Sequence, residues 1–263
     1  MSKRSSNKKK RSKKKVAKKR TDLRSVLQSI YHDNVSLETT CCHSCECCKV
    51  AMPQINYSEF VQIVTTLWNE KPESEILDLI STSLEYFFRY EYEKWGMESL
   101  VKPCMFLKED RCTVYVDRPL NCRLYGLWPE DDYEDRVQKF AAAYEVHGLK
   151  RDDLPLNRQC AFVKRVDNET ELTAEVIQSL FDKLDKLDAT TGNFTPAQIR
   201  QKENYRTFHD WLLLKVFGEE ELSRQTAFVL AASKETMEAL LSVLKEVLMK
   251  TFKNNVPKLD TLV

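Results

Sequence analysis

The chain has 263 residues, with 41 Lys and Arg against 40 Asp and Glu, nine Cys and only five Gly, for a net charge of +1. That length supplies one large or two small domains and an ample apolar core, burying roughly 70 to 75% of the unfolded surface, so the chain need not wait on a metal to fold as an isolated zinc finger does. No run reaches transmembrane length, no apolar h-region follows the basic start, and there is no Gly-rich nucleotide loop, G-x-S-x-G elbow or H-E-x-x-H helix.

The overall charge conceals an asymmetry. Residues 1–20 hold 12 of the basic residues and no acid, leaving 29 basic against 40 acidic in the remainder, a net of −11. With almost nothing apolar to bury, this segment reads as a disordered basic tail. Three roles compete for it: a solvated tail beside the acidic body, a contact with nucleic acid or the ribosome, and an anionic membrane surface. Beyond it, Leu23, Val26, Leu27 and Ile30 recur at helical spacing after Asp22, a good cap.

Next comes the densest feature of the chain, Cys41-Cys42-His43-Ser44-Cys45-Glu46-Cys47-Cys48. Three more cysteines, Cys104, Cys112 and Cys122, follow about sixty residues later. Few environments want several thiols together. Disulfides need an oxidising compartment, and adjacent cysteines pair poorly with each other, whereas soft thiolates bind zinc, copper(I) or an iron-sulfur cluster well. The expectation is a soluble cytoplasmic protein whose reduced thiols form one metal site from two halves. Unligated buried thiols are the plainer alternative.

A helical hairpin separates the halves. Asn56 with Glu59 three residues on starts one helix through Phe60, Val61, Val64, Leu67 and Trp68. Pro72 opens a second, with Ile76, Ile80, Leu84 and Phe88 on one face, ending near Gly96. Such a hairpin returns the chain to its starting point and lets distant cysteines meet. In the second group, Glu109-Asp110 offers a turn and Cys112 to Val116 a short strand. Asp117-Arg118-Pro119 can start a helical turn carrying Cys122. Backbone N–H groups there, with Arg118 and Arg123, could face the thiolates and tune them; surface pairing is the arginines' alternative role.

The rest reads as helices. One runs from Leu172 through Val176, Leu180, Leu184 and Leu187, and another from Thr195-Pro196 to Gly218. A third runs from about Glu219 to Leu230, and the last is capped by Ser233 with a stripe from Met237 to Leu248. Cys160 stands alone and reads as a buried apolar residue. The fold class expected is mainly α: an irregular Cys-rich metal-site region braced by helices, at most a short strand pair, and a C-terminal helical region. The divisions expected are a tail at 1–20, a cysteine-cluster domain at 21–165 and helices at 166–263.

The two cysteine groups resemble those of the CxxCxxCC cysteine-cluster proteins, the YkgJ-type family described as zinc- or iron-chelating. The second half matches closely, with Cys104, Cys112, Tyr115, Arg118, Pro119 and Cys122. The first departs by one residue, since Cys42-x2-Cys45-x-Cys47-Cys48 has one intervening residue where the family has two. The resemblance covers roughly residues 40–125 and implies a metal centre more firmly than an activity.

The candidate ligands are Cys42, Cys45, Cys47, Cys48, Cys104, Cys112 and Cys122, with Cys45, Cys48, Cys112 and Cys122 the preferred core and Cys41 and His43 beside them. Irregular spacing departs from the paired C-x2-C knuckles of structural zinc and favours a [4Fe-4S] cluster, with zinc the alternative. Cys41-x3-Cys45-x2-Cys48 has the radical-SAM spacing, but the helical remainder lacks the strand-helix alternation of that barrel. Three functions follow: a metal-binding module without chemistry of its own, a protein-lysine N-methylase-like enzyme as the resemblance allows, and a nucleic-acid or ribosome-associated factor using residues 1–20.

Overall fold

The computed structural model describes residues 23–32, 37–39, 46–50, 52–96, 103–145, 163–166, 171–252 and 257–263. The basic segment 1–20, the cap Asp22, Cys41, Cys42, His43, Cys45 and Cys160 lie outside the described residues.

The described chain is mainly α. Helix α1 covers residues 23–31 and α2 is Glu46–Val50, followed by the short strand β1, Gln54–Asn56. The hairpin is α3, Tyr57–Glu70, and α4, Glu73–Gly96. Strands β2, Leu107–Lys108, and β3, Arg111–Cys112, precede a 3-10 turn at Tyr115–Asp117 and helix α5, Leu120–Leu124. Helices α6, Glu130–Glu145, and α7, Ala174–Thr191, come next, then α8, Pro196–Arg200, and strand β4, Tyr205–Thr207. Helices α9, Phe208–Phe217, α10, Glu219–Ala231, α11, Lys234–Phe252, and α12, Leu259–Leu262, complete the order. None of these helices is long and apolar enough to cross a membrane.

Two segments depart from the periodicity. The helix expected from Thr195 to Gly218 is broken. Thr195 and Gln198 form a capping box that starts α8, but Lys202 adopts a left-handed φ of 58° and Tyr205–Thr207 pairs antiparallel with Asn56–Gln54. Thr207 then restarts a helix, its hydroxyl accepting from the Asp210 amide at 3.3 Å. The described residues thus hold two separate two-stranded sheets, β1 with β4 and β2 with β3, one pair more than expected. The strand expected over Cys112 to Val116 is also cut short: β3 ends at Cys112, and a 3-10 turn follows because Asp117 turns inward to meet Arg24.

Helix α3 is held at its start from two directions. The backbone amide of Asn56 donates to Glu59 Oε2 at 2.9 Å. From α7, the fully buried Asp188 accepts from the Tyr57 amide at 3.2 Å and the Ser58 amide at 2.7 Å, and also from the Ser58 hydroxyl. Asn56 Nδ2 at 2.9 Å and Asn204 Nδ2 at 2.7 Å add to these. A carboxylate at a helix N-terminus satisfies free N–H groups and complements the dipole, here from a distant helix.

Two apolar clusters form the core. The larger joins Phe60, Ile63 and Val64 of α3, Ile80 and Phe88 of α4, and Phe208, Trp211 and Leu212 of α9. Phe106 stacks edge-on against Phe208, with ring centroids 4.8 Å apart, so this core runs directly beneath the second cysteine group. The smaller cluster joins Leu27 and Tyr31 of α1, Leu120 and Leu124 of α5, and Ile177 and Leu184 of α7. Both clusters draw on residues from either side of position 165. On α1 the stripe runs through Leu27 and Tyr31, and Val26 faces solvent at 37% exposure.

Candidate metal centre

Cys47 and Cys48 lie in α2, and the carbonyl of Cys48 accepts from the backbone amide of Cys104. That bond is the junction the hairpin was expected to make. From Cys104 the chain turns, with the Leu107 amide donating to the Cys104 carbonyl at 2.9 Å, into the β2–β3 hairpin. Glu109 and Asp110 carry left-handed φ values of 49° and 56°, as a two-residue hairpin with mirror-image turn geometry requires. Leu107 pairs with Cys112, and Phe106 O accepts from the Thr113 amide at 2.9 Å. Cys122 follows in α5, entered through Pro119.

The sulfurs converge. Cys47 Sγ and Cys48 Sγ are 3.8 Å apart, and Cys104 and Cys112 lie near enough to Cys48 to shift its proton affinity. Cys104 in turn donates to Met52 Sδ at 3.6 Å. Cys48 and Cys104 are buried, whereas Cys47, Cys112 and Cys122 keep partial exposure, and all five thiols are free of disulfides. Among the described residues no three or more Cys, His, Asp or Glu side chains are grouped closely enough to hold a metal ion as they stand.

Electrostatics divides these thiols. Hydrogen bonds to Cys104, Cys112 and Cys47 push Cys48 strongly up, so it keeps its proton. The same bonds, received from Cys48, bring Cys47 and Cys112 down to about 7. The Val114 backbone N–H and the nearby Arg118 charge lower Cys112 further. Burial pushes Cys122 well up, and the neighbouring Cys104, Cys47 and Cys112 add to it. The expected turn N–H and Arg118 therefore do face the thiols. Arg123 has a different job: its Nε donates to Arg118 O at 2.9 Å and its guanidinium stacks 4.4 Å from the Tyr31 ring centre.

Two residues outside the cysteine motifs, Glu59 and Asp117, hold this region. Glu59, buried, accepts at Oε1 from the Tyr31 hydroxyl at 2.7 Å and from the Leu120 amide at 2.6 Å, so one carboxyl caps both α3 and α5. Burial raises it to about 7 against these three donors. Asp117, between Cys112 and Cys122, accepts two bonds from Arg24 of α1, at 2.9 and 2.7 Å, and one from Thr66 of α3 at 2.7 Å. Arg118 lies over the Tyr115 ring at 4.4 Å. The Arg-Pro-x-x-Cys segment signalled Cys122, but nothing local in Asp117 or Glu59 pointed to partners 93 or 61 residues away.

Of the candidate ligands, Cys47 and Cys48 touch through sulfur, Cys104 is bonded to Cys48 through the backbone, Cys112 and Cys122 lie within electrostatic reach of these, and Cys42 and Cys45 lie outside the described residues. The donor set is all sulfur, with Cys48 and Cys104 inside the larger apolar cluster and Cys47 and Cys112 packed against it. Such a set fits zinc or iron thiolate chemistry, and the 3.8 Å sulfur separation is close to the ~3.8 Å edge of a tetrahedron with bonds of about 2.3 Å.

Residues 40–161 match the sequence profile of the CxxCxxCC family, described as a "Putative zinc- or iron-chelating domain". That segment is therefore similar to CxxCxxCC domains, and it contains all nine cysteines, Cys160 included. No curated protein and no solved structure matches the chain.

Proposed function

We propose that the CxxCxxCC-like segment is a resident thiolate metal centre in which Cys48, Cys104 and Cys112 supply ligands and Cys47 or Cys122 completes the set. The observation that carries this reading is that Cys48, whose sulfur lies 3.8 Å from that of Cys47, is joined through its carbonyl to the Cys104 amide, so the two halves of the motif meet there. Bound metal supplies a positive centre that takes the place of the thiol protons, and affinity falls at low pH because each ligand must lose its proton. The chain's own part is to hold these segments in register through the Cys104–Cys48 backbone bond, the β2–β3 turn and the Asp117 and Glu59 anchors.

The short Cys47–Cys48 separation supports a single ion, zinc or iron, bound by several sulfurs. A [4Fe-4S] cluster, which the sequence spacing favours, gives each thiolate its own iron and sets the four sulfurs on a wider tetrahedron. It would draw on Cys122 and on the run Cys41 to Cys45. A cytoplasmic, reducing setting suits a centre built from free thiols. The nucleic-acid reading rests on the composition of residues 1–20 alone.

Anaerobic purification followed by elemental analysis and a visible spectrum decides the loading. Colourless protein with stoichiometric zinc supports the single-ion reading, and broad iron-sulfur absorbance with several irons and inorganic sulfide supports the cluster. Protein free of both metals, with every thiol titratable in the native state, would falsify the centre itself.

A further inference from the structure

Met52 lies two residues beyond α2, where the chain leaves the cysteine run for β1. Its thioether sulfur is 3.6 Å from Cys104 Sγ and accepts the Cys104 thiol hydrogen. Cys104 thus sits between a thioether that its sulfur touches and Cys48, to which its backbone is bonded. Cys48 and Cys104 are 7% and 6% exposed, and Met52 packs against the main apolar cluster. The backbone bond from Cys104 to Cys48 pins the two segments together, so they cannot easily spread. The next methionine along, Met105, is buried and takes the Ser83 hydroxyl instead.

A thioether is neutral, soft and weakly basic. It adds little to a zinc site already offered thiolates, but it is a good donor for copper(I), which soft thiolate and thioether ligands select. Copper(I) also accepts few ligands, and two thiolates with one monovalent ion leave a single negative charge in this buried wall. We propose that Cys48, Cys104 and Met52 form a copper(I) subsite at the inner edge of the centre, with Met52 the residue that confers selectivity. On binding, Cys48 and Cys104 each release a proton, two copper–thiolate bonds and one copper–thioether bond form, and the metal stays in its +1 state. This rests on the thiolate-centre reading, because Cys48 and Cys104 are shared with it.

The test uses the full chain, reduced and anaerobic, titrated with copper(I) against a chromophoric copper(I) chelator and separately with zinc. Met52→Leu keeps volume and removes the sulfur, a swap that cores tolerate well. The expected result is a loss of about tenfold or more in copper(I) affinity, of the order seen when a metal site loses a supporting partner, with zinc affinity and stoichiometry unchanged. X-ray absorption of the copper(I) form should show three sulfurs in the wild type and two in the variant. Equal copper(I) affinity in both proteins, equal loss for both metals, or only two sulfurs in the wild type overturns the subsite. If the wild type takes up neither zinc nor iron, it is the parent reading that falls. Uptake of either metal alongside an inert Met52→Leu substitution sinks the copper subsite alone.

Discussion

The backbone amide of Cys104 donates to the carbonyl of Cys48 across a gap filled by the whole α3–α4 hairpin. Main chain, rather than side chains alone, brings the two cysteine groups together, so their meeting survives changes at individual sulfurs. Cys48→Ser is therefore expected to cost metal before it costs the fold. Its metal content should fall well below that of the wild type, with helical circular dichroism retained. Cys160→Ser, offered as the control because that residue reads as an apolar filler, should leave the metal ratio unchanged. An undiminished ratio in Cys48→Ser would remove it from the ligand set.

Arg24 and Asp117 make a second junction, between α1 and the loop that carries Cys112 and Cys122. The Asp117 side chain is 3% exposed while that of Arg24 is 42% exposed. Stripping Arg24 leaves a buried carboxylate with only Thr66 and a long contact to Gln62. Loss of one partner of a fully buried pair costs about 3 to 5 kcal/mol, and the exposed arginine discounts this to about 1 to 2 kcal/mol. Arg24→Ala should lower the urea midpoint accordingly, and Asp117→Asn, which keeps the shape and part of the bonding, should do less. Equal midpoints for wild type and Arg24→Ala would show that the pair is ornamental.

Glu59 gives a pH signature. Its folded value of about 7 lies above the ordinary 4.5, with burial the largest cause. The folded state then holds a proton that the unfolded state releases. This contribution is complete below pH 4.5, shrinks as pH rises, and is lost as pH passes 7. Glu59→Gln cannot titrate. Its stability relative to the wild type should therefore rise between pH 4.5 and 7.5, as read from paired urea unfolding curves. A difference that stays flat over that window would mean that the three donors, not burial, govern the carboxyl.

Asp188 should be the most damaging single position outside the cysteines. Five donors from Asn56, Tyr57, Ser58 and Asn204 converge on it, and Asp188→Ala leaves the Tyr57 and Ser58 amides and the Ser58 hydroxyl without this acceptor, while the Asn56 and Asn204 side chains keep Asp185. With each orphaned group costing about 1 to 3 kcal/mol, the loss should exceed about 4 kcal/mol. Ser58→Ala, which removes one donor and leaves the acceptor well served, should cost about 1 kcal/mol. Chemical denaturation of the pair checks the ranking.

Metal removal should be felt away from the sulfurs. With a chelator present, amide exchange is expected to quicken through residues 104–124 and in α1, which reaches that loop by Arg24 and Tyr31, while α9 keeps its protection. Uniform protection with and without metal would separate the centre from the fold around it.

Local chemistry explains what the sequence made legible. Asn56 and Glu59, Pro72, and the Glu109-Asp110 turn act within a few residues, and the structure places helix starts and a hairpin there. Cys48, Cys104 and Cys112 could be grouped because thiol density itself is unusual. Tyr205–Thr207 could not be read as a strand, since its partner Gln54–Asn56 lies about 150 residues upstream and three residues carry no period. Met52 passed unnoticed for the same reason: a lone methionine is ordinary until its neighbour is known to be Cys104.

The β1–β4 ladder has a bearing on how this domain can be handled in isolation. A fragment cut to residues 40–161 would leave Ile55 and Asn56 without their paired strand and strip Phe60 and Phe106 of Phe208 and Trp211. The family-matched stretch borrows its floor from sequence that lies outside it. Excision should give sticky, poorly dispersed material, so metal affinities measured on such a piece would describe a damaged scaffold.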